Sequence, residues 1–310
     1  MFMYYLNSFI INLLMIFMIM LSLAFLTLIE RKLLGYIQDR KGPNKVNFMG
    51  MFQPFSDAIK LFSKEFIFIK NLNYMLYLLS PVFSMMIMLM MWMILPNLYN
   101  LYYINLNILL FLSFLSMGVY SLMMSGWSSN SIYSMLGSIR SIAQTISYEV
   151  SLILIMMINL MLIENFNLIK LFKYQSNLSF MLYLYPIMLM LLVSMIAELN
   201  RTPFDLAEGE SELVSGFNTE YMSGGFALIF MSEYGMIILM SVLMVMFYMG
   251  NMIIFYTKVL LIMTIIILFR GSFPRYRYDK LMNLIWKSFL PIILNFMIYI
   301  FFMKWLIMYM

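Results

Sequence analysis

The sequence predicts an all-α integral membrane protein, a bundle of about eight transmembrane helices with amphipathic interfacial helices in the loops of one side. Three observations lead there. The 310 residues are 64% hydrophobic and only 11% charged, where a soluble domain carries about 25% charge. The apolar residues gather into eight runs close to the ~20 residues that a helix needs to cross a hydrocarbon core. The charges fall almost wholly between those runs, and chiefly on one side. Cysteine and histidine are both 0. That excludes disulfides, zinc sites built on His or Cys, Cys-ligated iron–sulfur clusters and His-ligated haem, as well as nucleophilic catalysis through Cys–His or Ser–His pairs. Any redox cofactor must be held by another chain.

The expected spans cover about 2–29, 72–95, 101–124, 142–163, 178–197, 224–249, 252–269 and 289–309, in one polytopic domain over 1–310. The first is ~42 Å of helix at 1.5 Å per residue, so it must tilt. It has no basic n-region, and its apolar run far exceeds the 7–15 residues of a signal-peptide core, so it is expected to remain as a span. No charged side chain occurs between Asn71 and Ile139; that stretch must hold two spans, divided at Pro96-Asn97-Leu98-Tyr99-Asn100. Gly250-Asn251 is the turn between the sixth and seventh. The intervening loops 30–70, 125–141, 198–223 and 270–288 carry fifteen of the 19 Lys and Arg, against Lys170 and Lys173 on the other side. The positive-inside rule assigns those four loops to the cytoplasm-equivalent compartment and both termini to the opposite one. The Ser/Gly-rich piece 125–138 reads as a polar loop. No internal repeat of the transporter kind is visible.

Four polar features carry information beyond topology. Loop 30–70 opens with the basic cluster Glu30-Arg31-Lys32 and a Gly42-Pro43-Asn44 turn, then runs through Gln53–Glu65. There Phe55, Ile59 and Phe62 share one helical face, while Asp57, Lys60 and Lys64 share another. Such a helix lies at the membrane interface, either as a surface anchor or as the mouth of a pocket for an amphipathic ligand. Residues 198–221 hold six of the 14 acids, Glu198, Asp205, Glu208, Glu210, Glu212 and Glu220, with Arg201 as the one cation. Carboxylates clustered beside a membrane repel one another and lose hydration, which lets some of them hold protons near neutrality; the alternative is a solvated acidic loop, or one that meets a basic partner. Glu149, Glu233 and Lys258 fall inside spans, Lys258 at mid-span, where a charge costs ~2.5–3.5 kcal/mol and is by default a functional candidate. Lys304 lies near the chain end and can snorkel. Finally, 270–291 alternates Arg with Tyr; between two spans this suits lipid headgroups or an acidic partner surface rather than nucleic acid.

Met 39, Phe 28 and Tyr 22, with Ala at only six positions, fit an AT-rich organellar genome that reads ATA as Met. Apolar filling of lipid-facing helices explains the hydrophobicity but not the scarcity of Ala.

Five stretches in order along the chain, Glu30–Lys45, Gln53–Glu65, Arg140–Val150, Glu198–Tyr221 and Pro274–Pro291, resemble the mitochondrially encoded subunit 1 family of NADH:ubiquinone oxidoreductase, respiratory complex I. One departure is visible: Asn47 stands where the family usually has Gly. The resemblance implies a core membrane subunit of a proton-pumping enzyme with no complete active site of its own. It implies a multi-pass protein of the mitochondrial inner membrane, with matrix-side loops and both termini toward the intermembrane space. Ubiquinone is the implied substrate. FMN and iron–sulfur clusters are implied in partner chains, with NADH used by the whole complex. The implied partners are hydrophilic quinone-module subunits, small antiporter-like membrane subunits and membrane lipid. By the same resemblance Gln53, Phe55, Ala58 and Phe62, with Arg31 and Arg201, are quinone-site candidates; Phe226 and Phe230 join them from their position just inside the sixth span. Asp57, Glu149, Glu198, Asp205, Glu208, Glu210, Glu212, Glu220 and Glu233 are implied members of a carboxylate path. Two rivals stay open: the related membrane subunit of an energy-converting hydrogenase, and a proton-coupled secondary transporter.

Overall fold

A computed structural model describes residues 2–66, 70–96, 104–206, 209, 216–218, 220–250 and 254–309, with side-chain surroundings defined for 6–306 among these. Its described residues form helices and no strands. They are α1 Phe2–Ile37, α2 Gln53–Ser63, α3 Tyr74–Ile94, α4 Asn107–Ser128, α5 Ile132–Ile163, α6 Leu168–Tyr174, α7 Phe180–Tyr183, α8 Tyr185–Glu198, α9 Ser223–Tyr248, α10 Phe255–Ser272, α11 Tyr278–Asn283 and α12 Leu290–Tyr309. A 3₁₀ turn, Gly216–Asn218, lies between α8 and α9, and a π-helical stretch, Leu284–Phe289, joins α11 to α12.

Among the described residues seven helices are long and apolar enough to cross a membrane: Leu6–Ile37, Tyr74–Ile94, Asn107–Ser128, Ile132–Ile163, Ser223–Tyr248, Phe255–Ser272 and the continuous run Tyr278–Leu306. The segment expected as a span at 178–197 is instead two helices. Leu184 leaves the helical region (φ −115°, ψ 31°) and Pro186 opens α8, because a proline in the first turn loses no hydrogen bond whereas one further in would. The 14 residues of α8 reach only ~21 Å at 1.5 Å per residue.

Two expected loops are largely helical. Helix α1 continues past position 29 to Ile37 and carries Glu30, Arg31 and Lys32 on its last turns. The piece 125–138 is not a loop: α4 ends at Ser128, α5 begins at Ile132, and Ser129-Asn130-Ser131 alone turns the chain, with Asn130 at φ 47°. Its serines do not break helix because their hydroxyls donate back within it, as Ser125 Oγ does to Leu122 O at 2.7 Å and Ser138 Oγ to Met135 O at 2.9 Å. That bond satisfies a hydroxyl where no water reaches. At the family departure, Asn47 adopts φ 56° with ψ −170°, an extended positive-φ conformation that glycine takes freely and other residues rarely do.

The core is centred on α5, α8 and α9, whose Leu152, Ile155, Met156, Leu191, Leu239, Met240 and Val245 are fully enclosed. Helix α3 packs between α4 and α9, α12 packs on α5, and α1 packs on α9, α10 and α2. A second, smaller apolar cluster stands apart from this core: Tyr77, Phe217, Tyr221 and Ile229, with Phe226 packed against it.

Candidate functional site: a buried charge cluster beside two polar cavities

Glu30 is 4% exposed, and its Oε1 accepts from two guanidinium groups. Arg201 Nη1 lies 3.3 Å away and Arg270 Nη1 closes on the same oxygen. One carboxylate thereby ties α1 to the turn after α8 and to the end of α10. The Arg201 guanidinium also stands 4.5 Å from the centroid of the Tyr234 ring, within cation–π range. Burial alone would lower the Arg201 pKa, but Tyr234, Glu30 and Glu233 around it hold it above its ordinary value. Nearby, Asp205 pairs with Arg275 at 3.6 Å. Tyr276 N donates to Pro203 O at 2.9 Å, so the segments 201–205 and 275–276 form one polar cap.

The turn that carries Arg201 is held from below. Gln144, in α5, donates through Nε2 to both Ala197 O and Phe204 O at 2.8 Å. Asn200 adopts φ 50° just past the end of α8, where asparagine is a favoured left-handed terminator. Among the described residues, four buried polar atoms of this turn have no hydrogen-bond partner: Glu198 Oε2, Asn200 Oδ1, Arg201 Nη2 and Thr202 Oγ1. Buried groups of that kind normally meet water or a ligand.

Two cavities adjoin the turn. The larger, about 100 Å³, lies among α3, α4, α5 and α9; its polar lining includes Ser80, Ser84, Thr145, Glu198, Asn200 and Glu233, over a floor of Met88, Met91 and Leu115. The smaller, about 40 Å³, is lined by Asn200, Arg201, Thr202, Asp205, Phe217, Phe230, Glu233 and Arg270.

Of the sequence-derived candidates, the structure joins Arg31, Gln53 and Asp57. Asp57 pairs with Arg31 and accepts from Gln53 Nε2 at 3.0 Å, which fixes the angle between α1 and α2. The apolar face of α2 is open: Phe55, Ala58 and Phe62 are exposed, Phe62 by 57%. The Phe55 ring meets Phe25 edge-on at 6.1 Å, and Phe62 lies over Gly224 at the start of α9. From there an aromatic ladder climbs α9 at four-residue steps. Phe226 and Phe230 have centroids 4.3 Å apart, Phe230 and Tyr234 6.3 Å apart, and Tyr234 ends it under Arg201. Neither cavity is lined by an α2 residue; Arg201 and Phe230 line the smaller one.

Among the carboxylates, Glu149 is buried in α5 and lies within electrostatic reach of Glu198. Glu233 lines both cavities. Glu220 contributes its backbone: its carbonyl accepts from Tyr77 at 2.8 Å. Glu208, Glu210 and Glu212 lie outside the described residues. Lys258 is not mid-span. It is in the first turn of α10 and donates to Met249 O at 2.7 Å, because the last carbonyls of α9 have no partner within their own helix.

Glu30, Arg270, Tyr234 and Gln144 were not singled out from the sequence. Glu30 was the most accessible of them: it is the first charge after an uninterrupted apolar run, an acid flanked by bases. Tyr221 is a further anchor. Its hydroxyl bonds to Ser80 Oγ at 2.7 Å and Ser128 Oγ at 3.0 Å, and its ring stacks on Tyr77 at 4.4 Å. Burial raises the Tyr221 phenol above its ordinary pKa, so it stays a neutral donor.

A multi-span helical subunit with a buried charge cluster at one end is the class that this arrangement defines. The chain belongs to the NADH dehydrogenase family, which it matches over residues 10–301. It is 52% identical to NADH-ubiquinone oxidoreductase chain 1 of Aedes aegypti, covering 95% of each chain. The chain 1 proteins of Locusta migratoria and Nycticebus coucang are 50% and 48% identical, over 96% of each chain and over 92% and 93%. The chain is thus a multi-pass membrane member of an NADH-oxidising enzyme of the respiratory chain, and these relatives come from animals.

Proposed function

We propose that this chain forms the membrane side of a ubiquinone-binding chamber and couples quinone reduction to proton translocation through buried carboxylates. The observation that carries the reading is the position of the Glu30–Arg201–Arg270 cluster. On one side the Phe226–Phe230–Tyr234 ladder leads to it past the open face of α2. On the other, Glu233 and Glu198 line cavities that reach into the helix bundle. A stacking route for an isoprenoid quinone therefore ends where charge is concentrated.

The hydrophilic subunits that this chain anchors would hold FMN and iron–sulfur clusters, and those groups would supply the electrons. Negative charge developing on the quinone draws on Arg201 and Arg270 and loosens their hold on Glu30. That change in field shifts the proton affinities of Glu233, Glu198 and Glu149, and with them the acidic segment Glu208–Glu212, toward small antiporter-like neighbours. The charged cap faces the mitochondrial matrix, and both termini face the intermembrane space. The names of the relatives, which specify a quinone acceptor, favour this over the hydrogenase and transporter readings.

Glu149→Gln or Glu212→Gln should lower ubiquinone reduction coupled to pumping by tenfold or more, and leave NADH oxidation by an artificial acceptor intact. Unchanged quinone reduction and pumping in both variants would end the carboxylate path as drawn.

A further inference from the structure

The two cavities share three lining residues, Asn200, Phe217 and Glu233, yet remain separate. Residues that carry buried polar atoms without a hydrogen-bond partner among the described residues line both, Glu198 and Asn200 the larger, and Asn200, Arg201 and Thr202 the smaller. A cavity with two or more such groups holds water, whereas a purely apolar one stays dry. At about 30 Å³ per water molecule, the larger has room for about three and the smaller for one. Asn200 and Glu233 are polar and can bond water from either side. Phe217 is the one apolar member of the shared wall.

We propose that Phe217 is the partition between two hydrated sites, and that its position decides whether water runs unbroken from the charge cluster to the intramembrane carboxylates. The proposal rests on the carboxylate path above and names the point at which that path is interrupted.

Three features fit Phe217 for the task. It is enclosed, at 2% exposure, but in the small satellite cluster with Tyr77, Tyr221 and Ile229, apart from the main core. Its backbone is a short 3₁₀ turn that begins at Gly216 with φ 55° and lies against α5 at Gly137, where an added Cβ would come within 3.0 Å of Gly216 Cα. And Phe226, at the foot of the aromatic ladder, packs on the same cluster. A ring inserted beside Phe226 would press on the residues that seat Phe217. This gives a short packing route from the ladder to the partition through one small cluster.

The test uses the assembled complex in coupled membrane vesicles, with the amount of full-size complex on a native gel as the measure of assembly. Phe217→Ala removes the wall. A pump whose two water bodies are always joined cannot hold a proton on one side, so protons pumped per NADH should fall at least twofold while quinone reduction stays within twofold of the parent. Phe217→Trp thickens the wall and should slow quinone reduction and pumping together. Glu233→Gln is run beside them. If Glu233→Gln loses coupling while both Phe217 variants keep the parent stoichiometry and rate, the partition is wrong and the path stands. If Glu233→Gln changes nothing, the path fails and the partition with it. Should the Phe217 variants not assemble, the parent complex resolved to the level of ordered water decides: water in both cavities with a gap at Phe217 supports the proposal. An unbroken file past Phe217, or a side chain or lipid filling either cavity, overturns it.

Discussion

The two ends of this helix bundle use lysine and arginine in different ways. At the end away from the charge cluster they finish helices. Lys258 Nζ donates to Met249 O and Lys304 Nζ to Met161 O, at 2.7 and 2.6 Å. Gln175 bonds to Met246 O, Phe247 O and Gly250 N at 2.8–3.0 Å, and Asn167 accepts from Ile169 N to start α6. Each partner is a backbone group that the helix geometry leaves open. At the other end side-chain charges meet side-chain charges. Glu30 serves two arginines from two other segments, Asp205 meets Arg275, and the turn between them keeps four buried polar atoms without a partner among the described residues. A capped helix end has one good arrangement. A carboxylate shared by two cations depends on both of them, so a new charge beside either arginine alters its hold on Glu30.

Removing the shared anion gives the largest effect expected. Glu30→Gln leaves Arg201 buried with its principal charge partner gone, and breaking a buried pair from one side costs about 3–5 kcal/mol. The amount of assembled complex on a native gel should collapse, whereas Glu164→Gln at the opposite end should leave it near the parent level. Equal loss from the two substitutions would erase the distinction between the ends.

The sequence disclosed much of this end, but one residue at a time. A charge-poor chain with a few concentrated polar stretches is legible because each buried charge is so costly that its presence must have a reason; Glu149, Glu233 and Arg201 stand out for that. What cannot be read from position is the partner. Glu30 and Arg270 are 240 positions apart, and nothing local marks them as a pair. Periodicity also misplaces boundaries. It assigns a loop to 125–138 because serine and glycine are polar in composition, while in helix each serine hydroxyl folds back on its own backbone. It makes one span of 178–197 because hydropathy does not register the break at Leu184. The cavities belong wholly to the third dimension, since their linings come from six helices, the turn after α8 and the 3₁₀ turn at Phe217.

The two buried glutamines sharpen the comparison at intermediate magnitude. Gln144→Leu strips two buried carbonyls of a donor, and Gln175→Leu strips two carbonyls of a donor and the Gly250 N–H of its acceptor, at about 1–3 kcal/mol for each unsatisfied group. The stability loss should therefore be the larger in Gln175→Leu. The functional effects should run the other way, because Gln144 holds the turn that carries Arg201, and Gln175 closes the end of α9 on the side away from the cluster. Quinone reduction per assembled complex should fall severalfold in Gln144→Leu and stay at the parent value in Gln175→Leu. Equal turnover in the two would mean that the turn tolerates displacement and that Arg201 does not depend on it.

The smallest effect belongs to Lys304→Met. Its ion pair with Glu164 is open to the surroundings, Glu164 being 57% exposed, and exposed pairs contribute about 0–1 kcal/mol. The bond to Met161 O adds about 1 kcal/mol, while methionine keeps most of the apolar stem in place. Thermal inactivation of the complex should therefore move by a few degrees at most, with turnover and pumping unaltered. The measurement bears on the contrast between the ends more than on stability. A lysine inside a hydrophobic helix is by default a functional candidate, and this one is assigned instead to closing α5. A change in protons pumped per NADH in Lys304→Met would place a working charge at the end that the structure reserves for capping.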